Sequence, residues 1–466
     1  MALIGLNVGV WAVFQRAART TTVTMIPRRE PTPTPTPATQ LVPFVPVTAF
    51  KNFEYLDTND ISGSINVAHK YYLPIAGDEK LNEKTISIDE VSDDDYAAFL
   101  KEPTNAVYLI PLGELNSGLR VLNVNDKSVF DSNDNDWELM LPVSSDLLPT
   151  AINLNEVKEF VFGGTVVLSR GVAERIEKYN AVEYPWSAIS QTLSSADYAF
   201  INFKGSITSN CVYDGYTLSF CGQPDYVEGM KLAGVDGVSV SGNHIGDYGQ
   251  SGMKETIQFL EKNEIEHTGL GKKYPQAFEP LVANIQSDER DPYSVVMVAY
   301  NNVFGTAPCA SEKDQWGVTC LLDQEKLSKE IADLKAKYDV VIAYPNWGPE
   351  YTHYPDPEKQ IKWGRLMADA GADLVVGDQA HWVQTMEIYN ETPIFYGVGN
   401  LVFDQMWSEK TREGILLRVF LYDGQIISIE PVATKIYDYA QPRIETGSTG
   451  KAILDYLSLP LDAAGS

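Results

Sequence analysis

His244 and His381 stand where an imidazole can do chemistry. Each follows an apolar run in a stretch otherwise filled with short polar side chains. Val238-Ser239-Val240 runs into Ser241-Gly242-Asn243-His244, with Asp247 and Gly249 close behind. Leu374-Val375-Val376 ends at Gly377, and Asp378, Gln379 and His381 follow. Ile394-Phe395-Tyr396 stops at Gly399-Asn400, with Asp404 and Gln405 beyond. An imidazole with a carboxylate three positions on is equipment for proton transfer. Imidazole and amide groups can also hold a metal or polarise a scissile bond.

The same pattern recurs along the chain. Thr165 and Ser169-Arg170 follow Phe160–Gly164. Asn202 and Lys204 follow Ala199-Phe200-Ile201, and Asn346-Trp347-Gly348 and Glu350 follow Val340–Tyr344. One Gly-Asn-His is ordinary turn chemistry. Recurrence at strand after strand points to one site, because open α/β sheets gather their functional groups at C-terminal strand ends. Asn243, His244, Asn346, Gln379 and His381 are therefore expected to converge on one cleft.

The elements that must position them are legible from about residue 156. Phe160–Leu168, Tyr198–Phe203, Gly237–Val240, Val295–Tyr300, Val340–Tyr344, Leu374–Val376 and Ile394–Tyr396 read as strands. Met253, Ile257 and Leu260 fall at helical spacing, as do Leu327, Ile331 and Leu334, and Ile361, Met367 and Ala370. Strands alternating with helices imply a largely parallel, doubly covered sheet. Ile415–Tyr422, Asp423-Gly424 and Gln425–Val432 read as a hairpin. Upstream, 44–150 is an acidic α/β region with strand signals at 107–111 and 119–122. Its Asp131–Asp136 run lacks the glycine and glutamate of a calcium loop and reads as a solvated turn.

A formal charge of −27 argues against nucleic acid, which needs a basic footprint, and against broad docking on anionic lipid. Of the four cysteines, Cys211 and Cys221 are close in sequence, as are Cys309 and Cys320. Two local disulfides are the simplest of the three possible pairings and imply an oxidising compartment. Residues 1–15 form an apolar signal or anchor segment. Its basic residues, Arg16, Arg19, Arg28 and Arg29, follow rather than precede it, so it reads as the rear of a longer anchor. Residues 16–43 hold a Thr-Pro alternation, a stiff polyproline-type spacer.

In order, the segments GGTVVLSR (163–170), INFKGSIT (201–208), SGNHIGDYG (241–249), GLGKKYPQAFEP (269–280), NWGPEY (346–351), AGADLVVGDQAHWVQ (370–384) and PIFYGVGNLVFDQ (393–405) resemble the capsule-synthesis CapA family of poly-γ-glutamate biosynthesis proteins. That resemblance implies a calcineurin-like metallophosphatase fold, a two-sheet α/β sandwich, over 156–440. The smaller α/β region precedes it and a short tail, 441–466, follows. The stretch 107–125 separately resembles part of a solute-binding-protein lobe. Against the family pattern, Thr165 replaces an Asp, Lys204 a Glu, Asn346 a His, and Gln379 one of two His. Those departures imply at most one divalent ion, on Asn243 and His381, rather than a dinuclear centre.

The resemblance implies an extracytoplasmic, membrane-anchored protein handling an anionic envelope polymer, alone or with its membrane synthesis machinery. The membrane would be met only through the N-terminus. If the protein is catalytic, His244 is the general acid/base and Asp247 its orienter, while His381 and Asn243 hold the metal or polarise the scissile group, with Gln379 and Asn346 as hydrogen-bonding supports. Asn202, Lys204, Asn346, Trp347, Glu350, Gln379 and Asn400 would face substrate. The alternatives are a non-catalytic polymer-binding module, with Trp347, Trp382 and Trp407 in its cleft, and a metal-dependent phosphoesterase with unusual ligands.

Overall fold

A computed structural model describes residues 39–54, 56, 57, 59, 61, 65–68, 70, 88–132, 137, 139–145, 147–212, 217–288 and 290–462. The apolar N-terminal segment, the Thr-Pro alternation and most of the Asp131–Asp136 turn lie outside these residues. Thr39–Ala49 is a strand, and it begins within the last five residues of the stretch assigned to the spacer. It pairs with Tyr108–Pro111, Leu119–Val121 and Met140–Ser144 in a six-stranded sheet.

Beyond residue 156 most strands divide between two large sheets, with two two-stranded ribbons beside them. The first runs Glu266–Thr268, Gly237–Ser239, Tyr198–Phe203, Lys158–Val166, Glu413–Tyr422, Gln425–Tyr437, Gln441–Ile444, with Asn400–Val402 alongside Lys158–Val166. The second runs Leu281–Ile285, Tyr293–Asn301, Val340–Asn346, Leu374–Val376, Thr392–Phe395, Met386–Tyr389. The result is a two-sheet α/β sandwich, not one doubly covered sheet. The hairpin is as expected, with Asp423 and Gly424 both at positive φ in its turn.

Period-two alternation sorts the side chains between layers. Phe160, Phe162, Tyr198, Phe200, Ile342, Tyr344, Leu374 and Val376 share the core between the sheets. Val161, Ala199, Ile201 and Val238 face the other way, onto Ile176, Met230 and Leu260. Val341, Ala343 and Val375 of the second sheet cover Leu327, Ile331, Leu334 and Met367. The helices are Gln324–Lys335, Gly249–Lys262 and Lys362–Asp369, where the spacing places them.

The N-terminal sheet is joined to this sandwich. Phe130 stacks on Phe420 at 3.9 Å, and Phe50 meets Phe395 edge-on at 5.9 Å. Arg418 pairs with Asp131, Glu159 and Glu430, and the Ser128 hydroxyl also donates to Glu430.

Candidate functional site

The inner-facing parity of the strands, carried one step past their ends, builds the floor of the site. Tyr198 and Phe200 lead to Asn202, Ile342 and Tyr344 to Asn346, and Leu374 and Val376 to Asp378. A register shift between Gly163 and Thr165 turns Thr165 to the same side as Phe160 and Phe162. All four polar side chains are buried. Asp378 is the hub: its Oδ2 accepts from Thr165 Oγ1 at 2.7 Å and from Asn202 Nδ2. Lys204 Nζ lies 3.4 Å from the same oxygen and donates to Gln379 Oε1 at 3.1 Å. Burial pulls the Lys204 amine down, opposed by the charges of Asp378 and Glu350. The polarity of residue 378 was visible in the sequence but had no role assigned; the parity of Leu374 and Val376 was the signal that marks it.

Gln379 continues the network outward, its Nε2 donating to Glu350 Oε1 at 3.0 Å. His381 contacts Asn400, whose Oδ1 is 2.8 Å from Nδ1. Asn400 donates through Nδ2 to Thr411 O at 2.8 Å and to Gln405 Oε1 at 3.2 Å. Its oxygen therefore faces the ring, and His381 Nδ1 is the donor. Nε2 keeps a lone pair, with Glu350 Oε1 3.9 Å away. Burial, with the Lys204 ammonium next in size, pushes His381 down to about 3, so its ring is neutral.

His244 Nδ1 lies 2.9 Å from Asp247 Oδ2. The Asp247 side chain is fully buried, while His244 is 27% exposed, so the pair has a closed side and an open side. Phe220 N donates to Asp247 Oδ2 at 2.7 Å and Thr306 Oγ1 to Oδ1 at 2.6 Å. With Nδ1 donating to this carboxylate, Nε2 is the atom left to exchange a proton.

The two histidines are brought together across an aromatic pair. Phe220 packs on His244 at 4.4 Å and on Phe403 at 5.6 Å, and Phe403 reaches His381 at 5.6 Å. The Arg170 guanidinium lies over both phenyl rings and forks onto Asp404, whose Oδ2 also accepts from Gly171 N. Tyr351 stacks on His381 at 5.8 Å and meets Trp407 edge-on at 4.9 Å. Arg170, Tyr351, Gln379 and His381 all take positive φ, rare for residues with a side chain and concentrated where strain is commonly stored for function. Arg170, Phe220, Thr306, Tyr351 and Phe403 were not assigned roles from sequence, because their contacts come from other segments.

Of the remaining sequence-derived positions, Asn243 is buried and its Oδ1 has no partner among the described residues. Asn346 donates to Asn301 Oδ1 at 2.9 Å and pairs through its backbone with Asp378. Trp347 is a correction. It is fully buried, with Nε1 on Tyr396 O at 2.9 Å, and faces the helices. Parity gives the reason: Asn346 takes the inner face, so its neighbour takes the outer one. Trp382 packs on His353 at 4.8 Å, whereas Trp407 is 63% exposed beside Tyr351. Among the described residues no group of three or more His, Cys, Asp or Glu side chains is placed to hold a metal. Both expected disulfides, Cys211–Cys221 and Cys309–Cys320, are formed.

The family model described as bacterial capsule synthesis protein PGA_cap matches residues 159–405, more than half of the chain. The chain belongs to this family. All the site groups described above from Thr165 to Gln405 fall inside the matched segment. The capsule biosynthesis protein CapA of Bacillus anthracis is 27% identical over 300 residues, covering 63% of this chain and 69% of its own. The PGA biosynthesis protein CapA of Bacillus subtilis is 28% identical over 269 residues, covering 57% and 68%. Among solved structures, the calcineurin-like phosphoesterase YfkN of Bacillus subtilis aligns at TM-score 0.36 and 12% identity, over 60% of this chain and 90% of that one.

Proposed function

We propose that this capsule-synthesis family member handles an anionic envelope polymer of the poly-γ-glutamate type outside the cytoplasm. It would do so in the cleft between His244 and His381. The observation that carries the reading is the His244–Asp247 pair. A buried carboxylate fixed by two further donors orients one ring nitrogen and leaves the other free on a ring that is part-exposed. That is the arrangement of a general acid/base. His381, neutral and with Nε2 free, is an acceptor beside it, and Arg170 and Lys204 supply positive charge.

The donors do not fit a dinuclear metal centre. Among the described residues no three His, Cys, Asp or Glu side chains are placed to share an ion, and an ammonium stands 3.4 Å from the Asp378 carboxylate. Two divalent ions need several anionic ligands to offset four positive charges. The disulfides support an oxidising compartment. Among the described residues no helix is long and apolar enough to cross a membrane, so N-terminal anchoring stays part of this proposal.

Purified protein incubated with a γ-linked glutamate polymer tests the reading. Wild type should bind it and change its length distribution, and His244→Ala should bind without changing it. A polymer neither bound nor altered would sink the proposal. The exposed Trp407 beside Tyr351 favours a second reading, a binding module without turnover. Equal binding by wild type and His244→Ala, with the polymer unchanged in both, is its signature.

A further inference from the structure

The proposed proton transfer does not use the amine chemistry of Lys204. Its side chain is 2% exposed. The backbone makes room for it: a Cβ on Gly242 would fall 2.8 Å from Lys204 Cγ, so the residue before Asn243 must be small for the stem to pass. A lysine threaded this way is built into the floor and does not reach in from the surface.

Four oxygens of the residues around Asp378 and Gly242 are short of donors. Asn202 Oδ1, Asn243 Oδ1, Asn346 Oδ1 and Asp378 Oδ1 are buried with no hydrogen-bond partner among the described residues. Three of them belong to the Asp378 group: Asn202 donates to Asp378, and Asn346 pairs with its backbone. The fourth follows Gly242, against the lysine stem. A carboxylate with several amide oxygens is the donor set of a hard cation. Here the chain brings its own cation onto the other oxygen of that carboxylate, Asp378 Oδ2, and leaves the four orphan oxygens beyond its hydrogen bonds.

We propose that the Lys204 ammonium is the resident cation of this site, held on Asp378 Oδ2 and Gln379 Oε1 and occupying the carboxylate that a metal ion would otherwise need. An ammonium has three N–H donors. Asp378 and Gln379 are placed for two, and the third is left for a ligand. Where the polymer reading of the cleft holds, and this step rests on it, the group that meets Lys204 is a carbonyl or carboxylate oxygen of the polymer chain. A divalent ion added to the same place would be repelled by the ammonium and find its one carboxylate already paired.

Titration of the purified full chain with Mn²⁺, followed by calorimetry and by electron spin resonance, tests the assignment. Wild type should take up no stoichiometric ion. Lys204→Ala, which vacates the position and frees Asp378, should gain a site about tenfold tighter or better. Wild-type protein that takes up one or two equivalents overturns the assignment whatever the variants do, so it stays falsifiable if Lys204→Ala does not fold. Lys204→Met keeps the stem and removes the charge. With a chelator present, wild type should still bind a γ-linked glutamate oligomer, and Lys204→Met should bind it about tenfold more weakly. Oligomer binding by wild type that is lost in chelator and restored by Mn²⁺ overturns the assignment. Failure of wild type to bind the oligomer at all, with no Mn²⁺ uptake, counts against the polymer reading alone and leaves the resident cation supported.

Discussion

The Thr165 hydroxyl donates to Asp378 Oδ2 at 2.7 Å across 213 positions of sequence. Thr165 lies at the end of a strand of the first sheet and Asp378 follows a strand of the second, so this bond ties the sheets together beneath the site. Asp378 is fully buried, and Thr165, Asn202 and Lys204 are the donors placed at its Oδ2.

Thr165→Val keeps the shape and removes that donor. A hydrogen bond to a buried charged group is worth about 1.5–3 kcal/mol. The variant should lose about that much in urea unfolding, with an unchanged slope. A loss below about 0.5 kcal/mol would mean that Asn202 and Lys204 alone satisfy the carboxylate.

Asp247 accepts from Phe220 N and Thr306 Oγ1 and holds His244 Nδ1. In Asp247→Asn one amide oxygen must replace two carboxylate oxygens, and the amide N–H groups cannot accept. If His244 is the acid/base, turnover of a γ-glutamyl polymer should fall about 10²-fold or more, within the usual range for such groups, while polymer binding changes little. Equal losses in binding and turnover would make Asp247 a structural residue only.

Parity along the strands carried much of this site into view from sequence. Asn202, Asn346 and Asp378 lie two positions beyond inner-facing core residues, and Trp347 could have been assigned to the outer face by the same count. The division into two sheets came from the family resemblance and not from the strand pattern, because a buried strand has the same apolar run in either sheet. Thr165 was hidden by the register shift at Gly163, which breaks the count. Thr306, Phe220 and Tyr351 reach the histidines from loops whose paths depend on tertiary contacts and disulfides. The Lys158–Val166 strand and the Asp423-Gly424 hairpin were legible because their signals are local.

The loop carrying Thr306 is pinned at two points. Thr306 N donates to Asn243 O at 2.9 Å, and Cys309 is bonded to Cys320. Replacing both cysteines by serine removes a closed loop worth about 2–3 kcal/mol in the chain-entropy model. The double variant should unfold at correspondingly lower denaturant. It should also lose turnover, because Thr306 would hold Asp247 less often. Gly305→Ala separates the two effects: its Cβ would fall 2.0 Å from Asn243 O, forcing the loop away with the disulfide intact. Full turnover in both variants would show that Thr306 does not orient the Asp247–His244 pair.

Glu430 makes the link to the N-terminal sheet dependent on pH. It accepts from Ser128 at 2.5 Å and pairs with Arg418 at 3.0 Å, and Arg418 also reaches Asp131 and Glu159. Burial pushes the Glu430 carboxyl up to about 7 although the guanidinium pulls it down. The unfolded chain sheds this proton near its ordinary 4.5. Between those values the folded state holds more protons, so stability falls as pH rises through the window. The cost is absent below it and complete above about 7. With the side chain partly open to water, about 1–2 kcal/mol is expected, or a few degrees of melting temperature. Glu430→Gln still accepts from Ser128 and carries no charge to bury. Its melting temperature should be nearly flat between pH 5 and 7 at this site's contribution, and above wild type at pH 8. Parallel melting curves for wild type and Glu430→Gln across that range would show that Arg418 holds Glu430 ionised in the folded protein.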